Sequence, residues 1–234
     1  MSTTAFADLR NLDLADRLND EKRPGFIVVE GPIGVGKTTL CQRLARTLGY
    51  GSLLERPADN PFLDAFYRDQ QGNALATQLF FLLQRAQQLA PLNGQALLGL
   101  QIVSDFMLEK DDLFAQLNLA THEYELYRQI HQSLRVESPT PDLVIYLQAP
   151  TRVLLQRVRQ RGIAAEQRME AAYLDALTAA YTEFFHHYND APLLIVNAAE
   201  IDLASNQQHY EALLERAFSM AGTRQFYNPH PSLL

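Results

Sequence analysis

The sequence predicts an α/β protein in three layers, a parallel five-stranded sheet flanked by helices. Three observations predict it. Short β-branched runs alternate along the chain with segments of helical periodicity, and strands separated by helices pair in parallel. The first run, Phe26-Ile27-Val28-Val29-Glu30, passes directly into a glycine-rich turn and then a helical stretch. The chain has 234 residues, 47% of them hydrophobic, which supplies a substantial core and argues against disorder.

The elements follow in order. Residues 1–24 are polar with scattered leucines (Leu9, Leu12, Leu14, Leu18), spaced for a short amphipathic helix or a loosely held extension. Pro24-Gly25 precedes the first strand, Phe26 to Glu30. Gly36 to Leu48 reads as a helix ended by Gly49, and Ser52 to Glu55 as a short strand. Asn73 to Leu89 is a strong helical pattern stopped before Pro91. Leu98 to Ser104 reads as a strand and Leu119 to Leu134 as a helix. Asp142 to Gln148 is the clearest strand of the chain. Thr151 opens a helix with its hydroxyl as N-cap, and helix continues, broken near Gly162, to about Tyr188. Leu193 to Val196 is the fifth strand and Gln207 to Met220 the last helix. No linker or repeat divides the chain, so residues 25–220 read as one domain and 221–234 as an extended tail.

Charge and cysteine content narrow the partners. A formal net charge of -7 gives no general attraction to nucleic acid or anionic membrane, so neither is an expected partner and any phosphate site must be local. One cysteine, Cys41, permits no internal disulfide and reads as a small core residue. No signal-peptide pattern opens the chain, and no apolar run approaches the ~18–20 residues of a membrane span. The expected location is cytoplasmic.

Gly31-Pro32-Ile33-Gly34-Val35-Gly36-Lys37-Thr38 matches G-x-x-x-x-G-K-[ST], between a strand and a helix as the phosphate-loop mechanism requires. Gly31, Gly34, Val35 and Gly36 allow backbone N–H groups to turn inward around a phosphate, and the following helix adds its positive end. Lys37 reaches the outer phosphates, the Thr38 hydroxyl can hold Mg²⁺, and Thr39 either contacts phosphate or faces the helix interior. A P-loop NTPase fold with ATP and Mg²⁺ is the resulting expectation. No Asp-x-x-Gly follows the third strand and no Asn-Lys-x-Asp is present, which disfavours a GTPase and leaves a small-molecule kinase.

In a parallel α/β sheet, ligand-binding residues gather at the carboxyl ends of strands. Glu55 ends the second strand, where a general base could take a proton from an acceptor hydroxyl. Asp105 ends the third and resembles the acid that helps hold Mg²⁺ in phosphate-loop enzymes. Gln78 and Arg85 share a face of a largely apolar helix, with donors and acceptors suited to a nucleobase edge. Arg152, Arg157, Arg159 and Arg161 crowd one stretch before Gly162, the pattern of a short Arg-rich lid that neutralises phosphate charge. His186-His187 has no carboxylate or Cys at metal-ligand spacing, and Phe184, Phe185 and Tyr188 read as core or subunit interface.

From about Phe26 to Asp202 this order resembles the deoxynucleoside kinase family, the deoxycytidine, deoxyguanosine and deoxyadenosine kinase group. Glu55 occupies the place of that family's catalytic base. Asn60-Pro61-Phe62-Leu63 with Phe66-Tyr67 resembles the segment whose Tyr contacts the sugar 3′-hydroxyl. Gln78 through Arg85 resembles the helix that reads the base, and Asp111 falls where an Asp pairs with that Arg. Asp142 to Leu147, then Arg157 and Arg161-Gly162, resemble the strand and lid, with Glu166 placed to meet the 3′-hydroxyl.

The resemblance implies γ-phosphate transfer from ATP to the 5′-hydroxyl of a deoxynucleoside. Glu55 would be the base, and Lys37, Arg157 and Arg161 would stabilise charge. Thr38 and Asp105 would hold Mg²⁺, and Tyr67, Gln78, Arg85, Asp111 and Glu166 would bind the nucleoside. It also implies a homodimer. Two positions depart from the pattern: Phe106 stands where an Arg is usual after the third-strand acid, and Ile163 where the lid has another Arg. Lys110 or Arg56 is a candidate to supply the missing charge near Glu55. Two other readings stay open: a nucleoside monophosphate kinase using Arg56 and Arg68, or a nucleotide-binding homologue that has lost catalysis.

Overall fold

The protein is described as a computed structural model covering residues 23–92 and 99–229. The N-terminal leucines, Leu98 and the tail beyond Pro229 lie outside the described residues. Six strands form one wholly parallel sheet: β1 Phe26–Glu30, β2 Gly51–Leu53, β3 Ile102–Ser104, β4 Leu143–Gln148, β5 Leu193–Asn197 and β6 Arg224–Tyr227. Their order is β2-β3-β1-β4-β5-β6. Helices occupy the crossovers: α1 Lys37–Leu48, α2 Leu63–Arg68, α3 Gln70–Leu89, α4 Lys110–Asn118, α5 Thr121–Leu134, α6 Thr151–Arg161, α7 Ala171–His187 and α8 Gln207–Phe218.

β1 sits at the centre, buried throughout, with β3 and β4 as neighbours. The chain leaves β1 toward β2 and β3, then crosses over to β4. Such a divergence opens a crevice at the carboxyl ends of the strands. Glu30, Glu55 and Asp105 all fall at that edge or just beyond it. Two apolar clusters support it. One packs β1, β4 and β5 against α1, α7 and α8, and includes the stacked rings of Tyr146 and Phe185, 4.2 Å apart. The other joins Leu82 and Leu89 of α3 to Phe106, Ala115 of α4 and Tyr127 of α5. Phe106 is therefore a core residue, 1% exposed.

Several expectations are corrected. The sheet has six strands, not five, because Arg224–Tyr227 within the tail pairs in parallel with β5. Backbone bonding and Arg224, which donates to the carbonyls of His186 and Tyr188, hold this edge strand. Its four residues carry no apolar run that would announce it. The helix after Gly162 is interrupted more fully than expected, by a short turn at Ala165–Arg168 before α7 begins. Pro150 precedes α6 without a side-chain cap, and the Thr151 hydroxyl donates instead to Asp175. The short helices α2 and α4 were not expected at all. Cys41 is buried with its thiol against the Val103 carbonyl at 3.2 Å, and burial pushes that thiol up. Among the described residues, no helix is long and apolar enough to cross a membrane.

Candidate active site

The turn after β1 uses its glycines in two ways. Gly31 (φ 146°) and Gly34 (φ 84°) pack closely: an added Cβ would lie 2.4 Å from the Leu147 carbonyl oxygen or 2.8 Å from that of Leu154. Gly36 (φ 106°) caps α1, has no side-chain cap, and leaves open space where a Cβ would be. The first N–H groups of a helix need an outside acceptor. An uncapped helix start behind an open glycine fits an anionic oxygen, so the loop suits a polyphosphate. Lys37 Nζ donates to the Gly31 carbonyl at 2.7 Å and lies against that of Pro32 at 3.3 Å. Burial, followed by the like charge of Lys110, draws the Lys37 ammonium below its usual range.

A cavity of about 620 Å³ opens beside this loop. Gly34, Val35, Gly36, Lys37, Thr38 and Thr39 form one wall, Arg157 and Arg161 of α6 another, and the loop from Ala198 to Ala204 a third. Arg157 donates to the Val35 carbonyl at 3.3 Å and the Ala198 carbonyl at 2.8 Å, tying the two loops together. Arg152 and Arg159 are exposed, so the arginine cluster divides between cavity and solvent.

Thr38 and Asp105 meet below the loop, the hydroxyl donating to Oδ2 at 2.5 Å. The other oxygen of Asp105 accepts the backbone N–H of Glu55 at 2.7 Å. One carboxylate thus joins α1, the end of β3 and the end of β2. A hydroxyl and a carboxylate at a phosphate loop are hard oxygen donors of the kind Mg²⁺ takes beside phosphate oxygens and water, so the residues fit that ion.

A second, smaller cavity of about 110 Å³ adjoins the first, and Gly34, Lys37, Thr38 and Arg161 line both. Its wall includes Glu55, Tyr67, Gln78, Arg85, Asp105, Lys110, Glu166 and the rings of Phe66, Phe81, Phe114 and Tyr173. The glutamines of α3 hold the Glu55 segment: Gln88 donates to the Leu54 carbonyl at 2.9 Å and Gln84 to that of Arg56 at 3.3 Å. Buried Asn60 bonds the Thr77 carbonyl and the Phe62 N–H, fixing the turn that leads to Tyr67. Gln78 is 5% exposed and lines this cavity.

The charges here form one connected network. Arg85 pairs with Glu55 and Asp111 at once. Lys110 Nζ lies 3.4 Å from Glu55 and 3.3 Å from Glu30. Burial alone would push Glu55 up, but Arg85, Lys110 and Lys37 more than offset it and hold its carboxyl well below the usual range. Burial, with Tyr173 and Glu166 nearby, pushes the Tyr67 phenol well up, so it stays a hydrogen-bond donor. Arg161 pairs with Glu166 across Gly162, which takes φ 74°. Both residues of this pair line the smaller cavity.

The structure thus brings Lys37, Thr38, Glu55, Tyr67, Gln78, Arg85, Asp105, Arg161 and Glu166 to one cavity. Asp111 joins through Arg85, and Val35, Gly36, Thr39 and Arg157 line the larger neighbour. Gly31 lines neither, and its N–H donates to Glu30 at 3.0 Å. Arg56 and Arg68 are exposed, paired with Asp59 and Asp64, and outside both cavities. Sequence reasoning missed Glu30 and the 198–204 loop. An acid ending an otherwise apolar strand was the available signal for Glu30, whereas the loop carries no motif.

Comparison with known proteins places the arrangement. A sequence model of the family described as deoxynucleoside kinase matches residues 27–220. The chain is 32% identical to deoxyguanosine kinase of Bacillus subtilis over 193 residues, 80% of this chain and 93% of that one. It is 27% identical to deoxyadenosine/deoxycytidine kinase of the same organism, over 86% of this chain and 94% of that one. Among solved structures, deoxyadenosine kinase from M. mycoides with products dCMP and a flexible dCDP bound superposes with a TM-score of 0.72. The two are 25% identical, over 83% of this chain and 100% of that one.

Proposed function

The chain belongs to the deoxynucleoside kinase family, and from that premise we propose how its residues move the γ-phosphate of ATP to the 5′-hydroxyl of a deoxynucleoside. One observation carries the reading: Glu55 and Lys37 line the same cavity as Gln78 and Arg85, and that cavity adjoins the phosphate loop. A nucleoside in that cavity therefore has the base-reading side chains and the Glu55 carboxylate among its surroundings.

Glu55 accepts the proton of the 5′-hydroxyl as that oxygen bonds to the γ-phosphorus and the bond to the β-bridging oxygen breaks. Lys37, Arg157 and Arg161 stabilise negative charge on the transferring group. Thr38 and Asp105 would hold Mg²⁺, which would supply neutralisation of phosphate charge. Gln78 offers its amide, and Arg85 its fork, to the base edge. Tyr67 and Glu166 take the sugar hydroxyl. The Ala198–Ala204 loop receives the donor's base beside the larger cavity. The homodimer is what the family resemblance implies and the cytoplasmic reading rests on the sequence; sedimentation of the full chain tests the first.

The monophosphate-kinase reading needs arginines facing the acceptor's phosphate, and Arg56 and Arg68 face solvent instead. The deciding experiment is turnover by purified protein with Mg-ATP and each deoxynucleoside in turn. Phosphorylation of at least one is expected. No turnover on any, with ATP binding intact, leaves the non-catalytic reading standing.

A further inference from the structure

Lys110 is 2% exposed and stands at the start of α4. Its ammonium bridges two carboxylates from different strands, Glu30 at the end of β1 and Glu55 just past the end of β2. Burying an ammonium is costly unless it is paired, so the contact defines where each carboxylate sits. Glu30 is held on other sides as well. It accepts the N–H groups of Gly31 and Met107 at 3.0 Å each and the Tyr181 hydroxyl at 3.1 Å. With four donors around it and no exposure, Glu30 is a fixed anchor at the root of the phosphate loop. Glu55, by contrast, has a side chain 18% exposed and lines the cavity. The bridge therefore runs from an immobile carboxylate to the one with a task.

We infer that Lys110 is a positioning residue for Glu55: anchored on Glu30, it fixes the base relative to the phosphate loop. This rests on the reading of Glu55 as the base. It also answers the departure at position 106. Phe106 is committed to the apolar cluster between α3, α4 and α5 and carries no charge to the site. The cation comes instead from the first turn of α4. Arg56, the other candidate, pairs with Asp59 at the surface, both side chains more than half exposed.

The charged and titratable groups facing Glu55 are Arg85 of α3, Lys110 of α4, Lys37 of α1, and Asp105 after β3 through the Glu55 N–H. Beyond them stand Asp111 on Arg85, and Glu30 with Tyr181 on the far side of Lys110. Removing Lys110 leaves Arg85 as the direct partner of Glu55, and the carboxyl loses its tie to Glu30.

The test compares wild type with Lys110→Gln, Lys110→Arg, Glu55→Gln and the double variant Glu55→Gln/Lys110→Gln. Each is assayed for kcat and KM between pH 4 and 8 and for ATP binding as a sign of folding. For Lys110→Gln we expect kcat to fall ~10- to 100-fold, the scale of a small misplacement of a reacting group, with ATP binding kept. KM for the deoxynucleoside should change far less than kcat. Lys110→Arg should restore part of the rate. In the Glu55→Gln background, Lys110→Gln should cost nothing further, because residues acting through one group are not additive. The double variant also removes one charge of each sign, so it reports even where Lys110→Gln folds poorly. Wild-type kcat in folded Lys110→Gln, or full additivity in the double variant, overturns the proposal. Absence of turnover in the wild type instead defeats the functional reading on which it rests.

Discussion

Arg85 donates from Nε to Glu55 at 3.0 Å while the same guanidinium pairs with Asp111. One planar cation thus spans the distance between a residue proposed to read the base and the residue proposed to take the proton. Asp111 is 1% exposed, so it depends on this partner. Arg85→Met should destabilise the fold by ~3–5 kcal/mol, because it strands a buried carboxylate. Arg85→Lys keeps the charge but loses the two-sided fork, so it should fold better and still discriminate poorly among deoxynucleosides. Urea melts and KM across the four deoxynucleosides check both.

Glu55→Gln should lower kcat by ~10²–10⁴ while leaving ATP affinity unchanged, the range for loss of a general base. A protein that only binds nucleotide would show no turnover to lose. The pH dependence follows from the depressed carboxyl. Its stabilising contribution is complete above the unfolded carboxyl value of ~4.3 and fades as pH falls through the lower folded value. Wild-type activity should therefore be flat in Glu55 ionisation from pH 5 to 8. Acid melts should show Glu55→Gln losing less stability below pH 4 than wild type.

Thr38 and Asp105 predict a graded response to metal. Thr38→Ser keeps the hydroxyl and should need little more Mg²⁺ for half-maximal rate, whereas Thr38→Ala should need much more. Asp105→Asn should be worse than Thr38→Ala, since it also weakens the acceptor of the Glu55 N–H at 2.7 Å. A Mg²⁺ titration of initial rate separates the three.

Arg68 gives the opposite expectation. It pairs with Asp64 across one helical turn, both side chains 57% exposed, and reaches neither cavity. Arg68→Ala should leave kcat and KM unchanged and shift stability by less than ~0.5 kcal/mol, as exposed ion pairs do. A large rise in acceptor KM would revive the monophosphate reading.

How legible this was depended on whether a residue's position follows from local pattern. The phosphate loop, Glu55 and Asp105 could be placed because each lies just past the end of a strand, and strand ends in a parallel sheet share one edge. Gln78 and Arg85 stood out as polar residues on an apolar helix. The sixth strand was hidden because Arg224–Tyr227 has mixed polarity and an exposed Phe226, and its identity lies in backbone pairing with β5. α4 was hidden because only nine residues form it, and tertiary contacts rather than periodicity settle it. Glu30 and Lys110 are 80 residues apart, and only the folded sheet shows that they touch.

Gly34 and Gly36 allow a packing role and a ligand role to be separated within one loop. Both take positive φ, so alanine at either strains the backbone by ~1–2 kcal/mol. At Gly34 the new methyl would also lie 2.8 Å from the Leu154 carbonyl oxygen and 2.8 Å from the Val158 side chain. Gly34→Ala must therefore push α6 from the loop, and with it Arg157 and Arg161, so Tm and catalysis should fall together. At Gly36 the methyl meets no described atom within 4 Å, in the wall of the larger cavity. Gly36→Ala should lose much less Tm yet bind ATP far more weakly, because the added carbon occupies space at the helix start where a phosphate oxygen would sit. Thermal melts with and without ATP read both effects. ATP should raise the Tm of Gly36→Ala much less than that of wild type, and an equal rise in both would show that the open space at Gly36 is not the phosphate seat.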